Sequence, residues 1–282
     1  MGRGRRGKGC SGVEERGYPS VSGEAAATID RPGGAEEAQT VDQPKWVALG
    51  HPSYVWRSGQ DRRLSLIRGY AQLDNRRILD VGCGIGTYVR KFREFSPQVY
   101  GVDIDPDKVG EASRTLPNIM TAPAEVLPFA DDQFDLVLLH EVIEHVDDDV
   151  RAVAEAVRVA RPGGRVIIFA PNRHYPFETH GAYFGGRYVF GLIPLVNYLP
   201  DEMRKRFCPH VRAYTRGDLQ RLCRDLPVQV VAHSCVYPGF DNIAARSRLL
   251  AGVMRRVLYS LEHTRLHAFG LSHFMVIEKR TP

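Results

Sequence analysis

The segment Ile78-Leu79-Asp80-Val81-Gly82-Cys83-Gly84-Ile85-Gly86-Thr87 carries an acid followed by three alternating glycines. Glycines so spaced let a chain turn sharply and bring the amides of a helix N-terminus close to a ligand. Seventeen residues after Gly86, Asp103 closes the apolar run QVYGVDI, where a carboxylate can accept from a ribose diol. Strand, loop, helix, strand and terminal acid in this register predict a nucleoside cofactor. A second set of groups can move a proton near neutral pH: His140, His145, His174 and His180.

The spacing narrows the cofactor. The dinucleotide fingerprint is GxGxxG, whereas this loop reads GxGxG and is poorly matched to a pyrophosphate. Asp80 ahead of the glycines suits a cation such as an amino-acid ammonium group, although an acid there can also simply cap the strand-helix turn. S-Adenosylmethionine combines that ammonium with a ribose and an adenine.

These residues need a scaffold, and the sequence supplies one by alternation. Strand-like runs occupy 76–81, 98–104, 118–122, 134–140 and 164–171, with helix candidates at 91–95, 105–116 and 147–160 between them and another at about 59–73 before them. Asp105 and Pro106 form an N-cap and first-turn pair. Asp147, Asp148 and Asp149 fall where a helix N-terminus favours anions, so they are read as helix-start charges and no metal is expected. Alternation of this kind predicts an α/β, Rossmann-like fold with helices on both faces of a mostly parallel sheet. After Pro171 the rhythm breaks for about forty residues, then a helix at 215–225, a strand at 227–234, a helix at 241–262 and a strand at 271–280 complete the chain. Residues 1–45, rich in Gly, Ser, Ala and Glu without apolar periodicity, are expected to be a disordered tail, and 46–282 one domain with insertions at about 173–213 and 238–264.

Of the 282 residues, 38 are basic and 33 acidic, for a net charge of +5. Residues 46–171 hold 15 basic and 18 acidic side chains, and 172–282 hold 16 and 8, so the basic excess lies in the last third. The five cysteines show neither CxxC pairs nor zinc-ligand spacing with histidine and are read as reduced thiols of a cytoplasmic protein. No secretory signal pattern is seen, and the uncharged run Tyr188 to Pro200 is too short to cross a bilayer. The basic start, Arg3, Arg5, Arg6 and Lys8, reads as a solvated tail or as a weak contact for nucleic acid or an anionic membrane.

The segments ILDVGCGIGTY, GVDIDP, AEVLPFADDQFDLVLLHEVIEHV and VARPGGRVIIFAPN resemble the successive motifs of class I S-adenosylmethionine-dependent methyltransferases, most closely the ubiquinone-biosynthesis O-methyltransferase branch. The resemblance covers residues 76–172 and implies a seven-stranded sheet with an antiparallel final strand. It implies that Asp80, Gly82, Gly84 and Gly86, with Cys83 in the same loop, surround the methionine end of the cofactor. By the same resemblance Asp103 binds the ribose, Ile104 packs on the adenine, Ala124, Glu125 and Val126 line the adenine edge, and His140 and Glu141 lie near the sulfonium. One position departs: where the family commonly has an Asp that holds the adenine amino group, this chain has Pro123, leaving that contact to backbone groups or Glu125.

Methyl transfer needs an in-line nucleophile and, for a hydroxyl acceptor, a base. His145, which matches the family's Glu-His-Val, faces the acceptor or orients its own loop, and His180 with Glu178 forms part of the acceptor pocket or satisfies the backbone of a long loop. Residues 183–200 and the helix at 241–262 suggest a lid whose apolar faces, within a +8 region, fit a greasy acceptor or a peripheral membrane contact. The expected partner is therefore a small hydrophobic molecule, quinone-, lipid- or polyketide-like. A nucleic-acid methyltransferase is disfavoured because LHEVIEH follows strand 4 where amino-base enzymes carry an Asn/Asp-Pro-Pro-aromatic motif, and a nicotinamide oxidoreductase by the loop spacing. A non-catalytic S-adenosylmethionine-binding protein is the remaining alternative.

Overall fold

The computed structural model describes residues 58–262 and 264–281. The tail at 1–45, its basic start, Cys10 and the expected domain start at 46 lie outside the described residues. The elements run α1 (Ser58–Tyr70), β1 (Ile78–Val81), α2 (Thr87–Phe92), β2 (Val99–Asp103), α3 (Pro106–Ser113), β3 (Ile119–Thr121), β4 (Phe134–His140), α4 (Asp149–Val159) and β5 (Ala160–Pro171). An insertion follows, with β6 (Phe177–Glu178) paired to β9 (Ile193–Pro194), β7 (Ala182–Phe184) paired to β8 (Arg187–Val189), a 3-10 turn (Val196–Tyr198) and α5 (Asp201–Phe207). The chain closes with α6 (Arg216–Leu222), β10 (Val228–Val236), α7 (Asp241–Ala244), α8 (Arg248–Leu261), a second 3-10 turn (Arg265–Phe269) and β11 (Ser272–Lys279).

Seven strands form one sheet in the order β10-β11-β5-β4-β1-β2-β3. β1, β2, β3, β4 and β5 pair in parallel, and β11 is antiparallel to both of its neighbours, as the resemblance implied. Successive residues of β4 go to opposite sides: Leu136 and Leu138 join Leu64, Ile67, Val89 and Phe92 of α1 and α2, while Val137 and Leu139 join Val153, Ala156 and Val157 of α4 and Leu219 of α6. Period-2 strands buried on both faces read as continuous apolar runs, which is why FDLVLLH was legible. The strand order reverses between β1 and β4, and in such sheets a crevice opens at the carboxyl ends on either side of that point.

Two helices differ from the sequence expectation. α2 begins directly after Gly86 instead of at Lys91, because the left-handed glycine itself starts the helix. The helix expected over 241–262 breaks into α7 and α8, where Ser247 takes an extended conformation and its side chain accepts from the Leu250 amide. The insertion has a small core of its own, Ala182, Val196, Cys208 and Val211. Four cysteines among the described residues, Cys83, Cys208, Cys223 and Cys235, are free and buried.

Candidate active site

The loop between β1 and α2 uses left-handed backbone at Gly82, Gly84 and Gly86, with φ of 71°, 54° and 80°. A Cβ on Gly82 would come within 2.4 Å of Val142 Cγ2, and one on Gly86 within 2.3 Å of Leu116 Cδ1. Conformation and space both demand glycine there. Asp103 fastens the loop: Oδ2 accepts from the Gly84 amide at 2.7 Å and Oδ1 from the Asp105 amide at 2.9 Å.

Asp80 is 2% exposed, and its side chain makes no hydrogen bond among the described residues, so it does not cap the turn. Burial, and then the charge of Asp103, pushes its carboxyl well above the usual carboxylate range. A buried carboxyl of this kind is costly to ionise alone and is relieved by an arriving cation. Ile104 is 70% exposed at the end of β2, and Val126 is also exposed after β3, which suits the flat apolar face of a nucleoside base. An unpaired acid, a cradle closed to side chains, an anchored ribose-type acid and exposed apolar groups fit the cofactor inferred from sequence. When bound, that cofactor supplies an electrophilic methyl group on a sulfonium.

The Cys83 side chain is buried in the apolar cluster of α1 and α2, with its Sγ 3.7 Å from the Gly84 carbonyl of the loop. Glu125 Oε1 accepts from the amides of Asp147 and Asp148 at the start of α4. Ala124 is buried beside it. Asp105 caps α3 through the amides of Asp107 and Lys108, and Asp148 caps α4 through that of Arg151, as read from sequence. Asp149 accepts from the Tyr214 hydroxyl at 2.9 Å.

At the end of β4, His140 lies between the rings of Tyr88 and Phe169, with centroids 4.7 and 5.3 Å away. Its Nε2 meets Arg63 Nη1, and burial with the Arg63 charge drives its pKa down to about 3. His140 is thus a neutral, occupied ring and no longer a free base. Glu141 takes a left-handed φ of 55°, and its Oε1 accepts from Arg63 Nη2 at 2.9 Å and from Ser272 Oγ at 2.7 Å. Burial works against its ionisation, but Arg63 prevails and holds Glu141 at about 2. Arg63 was missed in the sequence because nothing in the amphipathic pattern of α1 distinguishes it from the neighbouring arginines. A cavity of about 230 Å³, lined by Arg62, Arg63, His140, Val236, Tyr237 and Leu271, opens beside it.

One turn further on, Glu144 is 1% exposed and neither carboxylate oxygen has a hydrogen-bond partner among the described residues. Burial, and then Glu141, pushes its carboxyl well up. Its Oε1 lies 3.9 Å from His145 Nε2, and ligating atoms of Glu144, His145 and His180 all fall within 4.8 Å of one another. His145 and His180 stack edge to face at 5.4 Å, with the carbonyl of His210 3.4 Å from His145 Nδ1. Behind His180, Glu178 Oε1 is 3.1 Å from Nδ1 and accepts the His180 amide at 2.9 Å, while Oε2 accepts from Arg204 Nη2 at 2.6 Å. Burial alone would raise Glu178, but its hydrogen bonds from His180 and the Arg204 charge hold it at about 2. Sequence reasoning singled out Glu178 and His180 but not Glu144 or Arg204, which are brought to them only by the fold. His174 instead lines a small cavity with His233, Cys235, His267 and His273.

Residues 79–168 match a family of methyltransferase domains. The chain is 25% identical to the ubiquinone biosynthesis O-methyltransferase of Azoarcus sp. over 66% of its own length and 78% of that protein. It is 33% identical to an uncharacterized methyltransferase of Schizosaccharomyces pombe over 43% of this chain and half of the relative. These likenesses support a class I S-adenosylmethionine-dependent methyltransferase. Its family and fold imply S-adenosylmethionine as the cofactor. The methyltransferase shares its fold with an S-adenosylmethionine-dependent methyltransferase from Mesorhizobium loti, at a TM-score of 0.55 and 18% identity over 77% of this chain and 96% of that one. A [4+2]-cyclase, SpnF, is similar at a TM-score of 0.53 and 18% identity over 82% of this chain and 84% of that one, so the fold by itself does not name a reaction.

Proposed function

We propose that this methyltransferase transfers the S-adenosylmethionine methyl group to a hydroxyl of a hydrophobic small molecule, quinone-, lipid- or polyketide-like, with His180 as the proton acceptor. The observation that carries the reading is the Arg204-Glu178-His180 relay, in which the buried Arg204 and Glu178 back a part-exposed His180. With Glu178 ionised and accepting from Nδ1–H, the lone pair of His180 is confined to Nε2, the tautomer a base requires. His145 stands across from it and would help to place the acceptor. Arg63 holds Glu141 low while burial and Glu141 push Glu144 up, so of the two carboxyls near β4 Glu141 is the one that ionises more readily. Asp80, Asp103 and the glycine loop hold the cofactor in line with the acceptor. Peripheral membrane contact through the basic C-terminal third belongs to the same reading.

In a methyl-transfer screen over phenols, quinol precursors, sugars and lipids, His180→Gln should lower kcat by about 10²- to 10⁴-fold while cofactor affinity stays within a factor of two or so. Wild-type turnover retained in that variant would sink the assignment of the base. A second reading uses the same residues: Glu144, His145 and His180 form a one-carboxylate, two-histidine set with a carboxylate behind one histidine and a carbonyl behind the other, an arrangement suited to a divalent transition metal. The unpartnered Glu144 oxygens favour it. Metal analysis of purified protein, and turnover after chelation, separates the two readings.

A further inference from the structure

We infer that α8 and the 3-10 turn after it form an interfacial surface that lies on an anionic lipid bilayer. The inference rests on the proposed function only for the kind of acceptor that the bilayer would deliver. In an ordinary amphipathic surface helix the apolar stripe faces the core and the polar side faces water. α8 presents an apolar stripe to solvent. Leu249 is 81% exposed and Leu250, Val253 and Val257 are each more than half exposed, while Ala251 is the buried residue of the helix. Residues 249, 253 and 257 are successive i, i+4 positions, so they form one outward stripe. Leu266 and Phe269 extend the exposed apolar surface onto the following turn.

The charges around this stripe are of one sign. Between Asn242 and Leu261 there is no acid. Arg246, Arg248, Arg256 and Arg265 are exposed and make no ion pair among the described residues. Arg255 is directed inward to Asp241 and the Gly239 carbonyl, which ties α8 to α7. Through Asp241 Oδ2, which accepts the Gly59 amide, α7 is tied in turn to α1 and the cavity beside His140. At fourteen residues α8 cannot span a bilayer, and no helix among the described residues is long and apolar enough to do so. An exposed apolar stripe with an arginine border is the pattern of a helix lying in the headgroup plane. A second copy of the chain fits this surface less well, because a two-fold contact would bring the same arginines together without an acid to answer them. A nucleic-acid backbone would use the arginines but leave Leu249 and Val253 in water.

The test is flotation of the full chain with vesicles of phosphatidylcholine alone and of phosphatidylcholine with about a quarter phosphatidylglycerol, at 0.1 M salt. Binding is expected to the anionic vesicles only. Arg248→Gln with Arg256→Gln, and separately Leu249→Asp with Val253→Asp, should each weaken it about tenfold or more. All four side chains are exposed, so thermal melting and S-adenosylmethionine binding should match wild type in both double variants. Those two readouts also keep a failure here distinct from a failure of the methyltransferase reading. No flotation of the wild-type chain, undiminished flotation of the aspartate variant, or a dimer that the aspartate variant dissolves would each overturn the proposal.

Discussion

Asp80 and Gly82 show how single residues in this site are selected for opposite reasons. Asp80 is a buried acid whose carboxyl is pushed up by burial and by Asp103, so in the proposed role it would weaken the empty protein and strengthen the loaded one. Asp80→Asn should lower S-adenosylmethionine affinity about 10- to 100-fold by calorimetry, with a melting temperature equal to or above wild type. Gly82→Ala should do the reverse in the empty protein: a strained φ of 71° and a 2.4 Å approach to Val142 predict a loss of about 2–4 kcal/mol in chemical denaturation. Glu178 adds a pH signature. Its carboxyl sits at about 2 in the fold, below its ordinary value of 4.5, so its contribution to stability is present above about pH 4.5 and is lost as pH falls through about 2. Glu178→Gln should remove that part of the acid transition and, because it frees the His180 tautomer, also lower kcat. A variant that melts with the wild-type acid profile would show that the relay carries no ionic stability. These side chains were legible to different degrees. The Asp80 loop is contiguous in sequence, whereas Arg63, Glu144 and Arg204 act on residues far away in the chain and give no local signal.

At the scale of elements, β11 carries a load that its sequence hides. His273 lies in the sheet interior, its Nε2 2.9 Å from the Tyr214 carbonyl and its Nδ1 3.2 Å from His233 Nε2 and 3.3 Å from Cys235 Sγ. Burial holds His273 at about 4 and, with His273 itself, His233 at about 3. The folded state therefore binds fewer protons than the unfolded chain below pH 6.5, and stability falls as pH drops from about 6.5 toward 4. His273→Gln should flatten the melting temperature over that window relative to wild type. Strands β1, β2 and β4 and helices α3 and α4 were readable because β-branched runs and Asp caps are local signals. The insertion was not: β6 to β9 are two or three residues each, and α5 buries Arg204 toward Glu178 instead of an apolar face. A periodicity search has nothing to find in such elements.

For the whole molecule, binding and stability are linked. Saturation with S-adenosylmethionine at about 100 times its Kd should add about 2.7 kcal/mol and raise the melting temperature by several degrees, and NAD should leave it unchanged. An equal shift with NAD would revive the oxidoreductase reading that the GxGxG spacing argued against. The net charge of +5 acquires a location only in three dimensions: the arginines that make the last third basic divide between inward partners, such as Arg204 and Arg255, and the outward border of α8. The sequence by itself determined the fold class, the cofactor loop and the ribose-type acid, because each depends on residues within one βαβ unit and on spacings that the backbone enforces. Only the tertiary structure decided which histidine is sequestered by Arg63, which is backed by a carboxylate, which amides Glu125 accepts from, and which way the apolar stripe of α8 faces. Those outcomes depend on contacts between segments up to two hundred residues apart, and on burial, which raises one carboxyl and lowers another according to the company that the fold provides.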